Sequence, residues 1–176
     1  QIKKKRNMKK IIFLTGTRAD FGKIKEVVKL LLKNKFNIKI FVTGMHLDRR
    51  FGYTYNEIKK SFPEKILFKF NNYVKNNQLD LTIAKTIIGF SNFLKKSPTD
   101  LVIIHGDRSE ALAGAISASF NNVLVAHIEG GELSGNIDEH IRHSISKLSH
   151  IHFVSNLSAK KRLRKMGEIN SKIFSC

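Results

Sequence analysis

Cysteine is nearly missing from this chain of 176 residues: the only one, Cys176, is the last residue. No intrachain disulfide can form, which fits a reducing compartment, and a cytoplasmic location is the expectation. Apolar runs long enough to span a bilayer are also missing, since about 20 residues are needed, so no membrane contact is expected. Proline is scarce, and both copies, Pro63 and Pro98, fall where helical patterns stop. Acidic residues are the other shortage, 14 against 32 Lys and Arg, for a formal net charge of +18. Such a charge raises nucleic acid as a partner. The lysines, however, are spread along the polar sides of predicted helices. The aromatics are largely Phe inside apolar runs, not interleaved with Arg as in a base-stacking platform. No nucleic-acid partner is therefore assigned. A basic surface also attracts anionic substrates.

What is present suits one domain with a real core, at 41% hydrophobic residues. Residues 1–7 are basic and precede no continuous apolar segment, so a secretory signal is not expected. They are expected to be a disordered leader, with Met8 as a natural start and residues 8–176 as the domain. From Lys10 onward short apolar runs alternate with helical patterns. Lys10 to Thr15 reads as a buried strand. Ile24, Val27, Val28, Leu31 and Leu32 then recur at i, i+3, i+4, i+7 and i+8. Further strands are expected at Ile38 to Thr43, Ile66 to Phe70, Leu101 to Ile104, Val123 to Ala126, Ile151 to Val154 and Lys172 to Ser175. Helices are expected at Tyr55 to Phe62, Leu79 to Lys96, Ser109 to Phe120, Ile137 to Leu148 and Leu157 to Met166. This alternation predicts an α/β fold, a parallel sheet with helices on both faces. The chain stops inside an apolar run, as a domain of a longer protein would.

Ligands of open α/β sheets bind beyond the carboxyl ends of the strands, so chemistry is sought there first. The loop from Gly16 to Gly22 follows a strand and opens a helix, the position where backbone N–H groups favour an anion. It lacks the spacings of dinucleotide and P-loop motifs. Arg18 and Lys23 are candidate phosphate ligands, with solvated charges as the alternative. Asp107 and Glu129 each follow a strand end closely. Paired carboxylates in one crevice suit an acid and a base; for Asp107 the alternative is capping the helix at Ser109. Asp138 and Arg142 stand at i, i+4, as do Glu139 and His143, and surface ion pairing is the alternative there. Six of the seven histidines lie between His105 and His152, yet HExxH spacing and cysteine partners are missing, so no metal is assigned.

The motifs GTRADFGK at Gly16 to Lys23, VTGMH at Val42 to His46, HGDRSEALA at His105 to Ala113 and HIEGGELSGNIDEHIRHSISKLSHIHF at His127 to Phe153 occur in that order, followed by Met166-Gly167-Glu168. Together they resemble the hydrolysing UDP-N-acetylglucosamine 2-epimerase family, in the branch serving sialic or related nonulosonic acid synthesis. The resemblance runs from about Met8 onward. It implies a Rossmann-like domain forming the N-terminal half of a two-domain GT-B architecture, with the second domain missing. It implies a UDP-sugar substrate, no cofactor or metal, and a homodimer for the full-length protein. It also implies a reaction: UDP is eliminated across C1 and C2 of the sugar, and water adds to the resulting glycal to give N-acetylmannosamine. Asp107, Glu129 and Asp138 match the family's catalytic carboxylates, and Arg18, Lys23 and Arg142 its basic residues near sugar and diphosphate. In the same motifs His46, His105, Arg108, Glu139 and His143 are candidates for substrate contact. The alternatives are a GT-B glycosyltransferase and a non-catalytic module that binds nucleotide sugars or nucleic acid.

Overall fold

The structure is a computed structural model that describes residues 9–176; the expected leader, residues 1–7, lies outside them. The described residues form seven strands: β1 (Lys10–Thr15), β2 (Asn37–Val42), β3 (Leu67–Lys69), β4 (Leu101–His105), β5 (Leu124–Ile128), β6 (Ile151–Val154) and β7 (Ile173–Ser175). Six α-helices connect them: α1 (Arg18–Lys33), α2 (Tyr55–Ser61), α3 (Leu79–Lys96), α4 (Ser109–Phe120), α5 (Ile137–Lys147) and α6 (Leu157–Lys165). All strand pairs are parallel, in the order β3-β2-β1-β4-β5-β6-β7. The parallel sheet expected from the alternation, Rossmann-like as the resemblance implies, is therefore present.

The period-two alternation of strand side chains sorts the core into two layers. Ile12, Leu14, Phe41, Val102, Ile104 and Val125 pack beneath α3, α4 and α5. Ile11, Phe13, Ile40, Val42, Ile103 and Ala126 point the other way, toward α1 and α2. On the α3 side a group of phenylalanines fills the space: Phe41 lies 4.8 Å from Phe90 and 5.3 Å from Phe93, ring centre to ring centre. Truncating a buried Phe of this kind costs about 3–5 kcal/mol. Helix α4 is built from small residues, with Ala111, Ala113, Ala115 and Ala118 all buried, so it lies close to the sheet.

Strand order reverses between β1 and β4, and the loops leaving these two strands diverge there. Such a switch point opens a crevice at the carboxyl end of the sheet. The residues after β2 form short 3-10 turns at Gly44–Leu47 and Arg49–Phe51. Among the described residues no helix is long and apolar enough to cross a membrane.

Candidate active site

The β1 end of the crevice is built by a single carboxylate. Asp20 Oδ1 accepts from the Thr15 hydroxyl at 2.7 Å and from the Thr17 N–H at 3.0 Å; Oδ2 accepts from the Gly16 N–H at 2.9 Å. The Asp20 N–H donates back to Thr17 Oγ1, so Thr17 and Asp20 form a capping box at the start of α1. Because the Thr15 hydroxyl donates to Asp20, its oxygen accepts from His46 Nε2 at 2.9 Å, and His46 Nδ1 accepts from the Thr54 hydroxyl at 2.6 Å. Burial alone would raise the Asp20 pKa. The His46 imidazole 3.8 Å away, together with hydrogen bonds from the Gly16 N–H and Thr15, outweighs it and holds the carboxyl below its ordinary range.

The β4 and β5 ends carry the open part. Asp107 pairs with the Arg142 guanidinium of α5. Glu129 lies between an ammonium and an imidazole, with Lys23 Nζ 3.2 Å from Oε1 and His105 Nε2 3.1 Å from Oε2. Partial burial would raise its pKa, but His105 and Lys23 bring it below the ordinary value. Its backbone is left-handed, φ 63°, which is costly for a side chain of this size. Thr17, Asp107, Arg108, Glu129, Glu132 and Arg142 line a cavity of about 150 Å³. Arg108 Nε and Arg142 Nη1 are buried N–H donors with no acceptor among the described residues, an arrangement suited to an anionic ligand.

A larger cavity of about 450 Å³ lies beyond β2 and β3, on the other side of Arg108. Its carboxylates are already engaged: Asp48 is bound by Arg50, and Glu110 by Ser109 and Asn72. The smaller cavity holds the candidate carboxylates Asp107 and Glu129 together with Arg108 and Arg142.

A model of the family described as UDP-N-acetylglucosamine 2-epimerase matches residues 29–176. The chain belongs to this epimerase family. A UDP-N-acetylglucosamine 2-epimerase of Neisseria meningitidis serogroup B is 44% identical over 162 residues, covering 92% of this chain and 43% of that protein. A UDP-N,N'-diacetylbacillosamine 2-epimerase (hydrolyzing) of Legionella pneumophila is 43% identical, covering 95% of this chain and 45% of that protein. The solved UDP-GlcNAc 2-epimerase of Methanocaldococcus jannaschii, in complex with UDP-GlcNAc and UDP, is 28% identical with a TM-score of 0.79. It covers 96% of this chain and 46% of that one. The chain thus spans about half the length of these relatives, as one Rossmann-like half of a GT-B-type architecture.

Within this epimerase half, the candidate residues divide. Asp107, Arg108, Glu129, Arg142 and His105 line the same small cavity, and Lys23 reaches Glu129. Arg18 is exposed and lies 3.4 Å from Glu57 of α2. His46 is fully buried, so in this structure it braces the loop after β1 and offers no surface for substrate contact. The expected Asp138–Arg142 pair does not form: Arg142 turns to Asp107, and Asp138 accepts from Asn136 Nδ2 at 3.3 Å. Glu139 does meet His143, at 3.8 Å. It also accepts the Ser134 and Gly135 N–H groups, at 2.9 and 2.8 Å, closing its own loop. His143 is pushed below its ordinary pKa chiefly by burial.

Two site residues escaped the sequence reading. Asp20 carried a signal, the Thr-x-x-Asp spacing of a capping box at Thr17. Glu132 carried none. It binds Ser155 and Asn156 at the start of α6, while Arg162 bonds the Gly131 carbonyl, so α6 fastens the loop after β5.

Proposed function

We propose that the complete protein is a hydrolysing UDP-sugar 2-epimerase that converts UDP-N-acetylglucosamine to UDP and N-acetylmannosamine for nonulosonic acid synthesis. The observation that carries the reading is the juxtaposition at one cavity of Glu129, Asp107 and guanidinium N–H groups that have no acceptor among the described residues. The reaction requires each of these. A base removes the C2 proton as the C1–oxygen bond breaks, and UDP leaves with the bonding pair. Water then adds across the glycal: its oxygen bonds to C1 as it gives up a proton to a carboxylate, and a protonated carboxyl delivers a proton to C2 from the face opposite to the one that lost it. Glu129, held ionised by His105 and Lys23, suits the base. Asp107, on the neighbouring strand end and paired with Arg142, suits the group that handles the second proton. General acid–base groups of this kind contribute roughly 100- to 10,000-fold. Arg108 and Arg142 are placed to take negative charge as the diphosphate departs.

The names of the two relatives differ in the sugar, so the assay includes both. The chain completed by the second half that its relatives possess should release UDP from UDP-N-acetylglucosamine, or from UDP-N,N'-diacetylbacillosamine, with no acceptor present. The sugar product should carry the inverted C2 centre. UDP release that depends on an added acceptor would instead identify a glycosyltransferase. No release from either sugar under any condition would end the epimerase reading.

A further inference from the structure

We propose that His127 is a positioning residue for the turn that carries Asp107: its imidazole grips the Gly106 carbonyl and thereby sets where His105 and Asp107 point. The proposal rests on the reading of Asp107 as a proton-transfer group.

His127 lies in β5, fully buried, and it does not line the cavity. Its Nε2 is 2.7 Å from the Gly106 carbonyl oxygen. A carbonyl only accepts, so Nε2 bears the proton. Nδ1 is then the acceptor for the Ser146 hydroxyl, 3.1 Å away. One tautomer is fixed from both sides. The Gly106 N–H donates to the Ile128 carbonyl at 3.0 Å, so both backbone polar groups of Gly106 are tied to β5. Gly106 itself is left-handed, φ 74°, a conformation glycine adopts at little cost. The chain therefore bends between His105, which faces Glu129, and Asp107, which faces Arg142.

Helix α5 completes the clamp. Arg142 and Ser146 are four residues apart on one helix face, and they deliver parallel contacts, one to Asp107 and one to His127. The loop after β5 is fitted to the same spot. A Cβ on Gly130 would lie 2.8 Å from His127 Nδ1 and 2.9 Å from Ser146 Oγ, too close for either. His127 thus joins the loop after β4, the loop after β5 and α5 at a point behind the reacting groups. Burial above all, with His152, His105 and Arg142 nearby, pushes its pKa down to about 3. The ring stays neutral at physiological pH and acts as a fixed dipole, carrying no proton for the reaction.

The test compares His127→Phe, which keeps a ring and loses the donor, with His127→Gln, whose amide N–H has the reach of Nε2. In the 176-residue chain, imidazole ¹⁵N shifts should report the Nε2–H tautomer, unchanged from about pH 5 to 8. The Gly106 and Asp107 amide signals should move in the Phe variant and return toward the parent in the Gln variant. In the complete protein, Phe should lower kcat by up to roughly 100-fold, the scale for a reacting group displaced by about an ångström, with KM within about threefold, and Gln should recover most of it. A folded Phe variant with parental Asp107 signals and kcat would overturn the proposal, as would equal losses in Phe and Gln. If the Phe variant does not fold, Ser146→Ala decides: a mixed tautomer and a partial loss of kcat support the clamp, and parental values for both overturn it. Should the complete protein release no UDP at all, the functional reading fails, and the amide and imidazole signals still judge the clamp by themselves.

Discussion

Asp20 and Glu129 stand at two mouths of the same crevice, and both carboxyls are held below their ordinary pKa. They are held by different means. Asp20 is buried, at 6% exposure; the His46 imidazole stands 3.8 Å away, and the groups that hydrogen-bond it, Thr15, Gly16 and Thr17, belong to its own loop. Glu129 is half-buried, and its partners come from α1 and from β4. A carboxylate saturated by nearby neutral donors is a structural rivet. One flanked by an ammonium and an imidazole from separate elements can exchange them for a ligand. A depressed carboxylate pKa therefore does not by itself mark a reacting group; the identity and reach of the partners do.

The contrast is tested most severely by activity. In the complete protein, Glu129→Gln and Asp107→Asn should each lower turnover roughly 100-fold or more, while the folded chain keeps its urea midpoint nearly unchanged. Near-parental rates would remove either residue from the mechanism. Asp20→Ala should do the reverse of this at the level of the fold. It leaves the Thr15 hydroxyl and two loop N–H groups without their acceptor, a loss of about 2 kcal/mol in urea unfolding of the 176-residue chain. The same residue leaves a pH signature. Its folded pKa lies below the unfolded value near 3.8, so its contribution is complete above about pH 4 and disappears as pH falls through the folded pKa. Asp20→Asn should flatten that acid limb. Lys23→Met should have the smallest effect. The Lys23 side chain is 63% exposed, so stability should change by only a few tenths of a kcal/mol. The Glu129 titration, followed by carboxyl ¹³C shifts, should nevertheless move upward toward its ordinary value. A shift in the opposite direction would show that Lys23 does not act on Glu129.

The sheet was legible because apolar runs of four to six residues, bounded by polar loops, leave little choice other than buried parallel strands. Lys10–Thr15, Leu79–Lys96, Ser109–Phe120 and Ile151–Val154 match the expected bounds at both ends. The position of the crevice was legible for the same reason, since charged residues gather only after certain strands. Side-chain partners were harder to read. Helical spacing paired Arg142 with Asp138, but the packing of α5 against β4 and β5 turned Arg142 to a residue 35 positions away. His46, which reads as polar and available in the motif, is the most deeply buried kind of residue once Asp20 and Thr15 are folded around it. Long-range pairings of this sort have no period for a sequence to display.

The left-handed backbone at Glu129 has one more consequence, which concerns loop length. Along β5, Val125 and His127 face α5, while Ala126 and Ile128 face the α1 side. Simple alternation would send residue 129 toward α5, yet its carboxylate meets Lys23 of α1. The reversal at φ 63° carries it across the end of the sheet. Adding or removing a single residue between Ile128 and Gly130 would therefore deliver a different side chain to that spot and push a Cβ-bearing residue into the place of Gly130. Of all changes to this loop, indels are the ones the fold has least room to absorb.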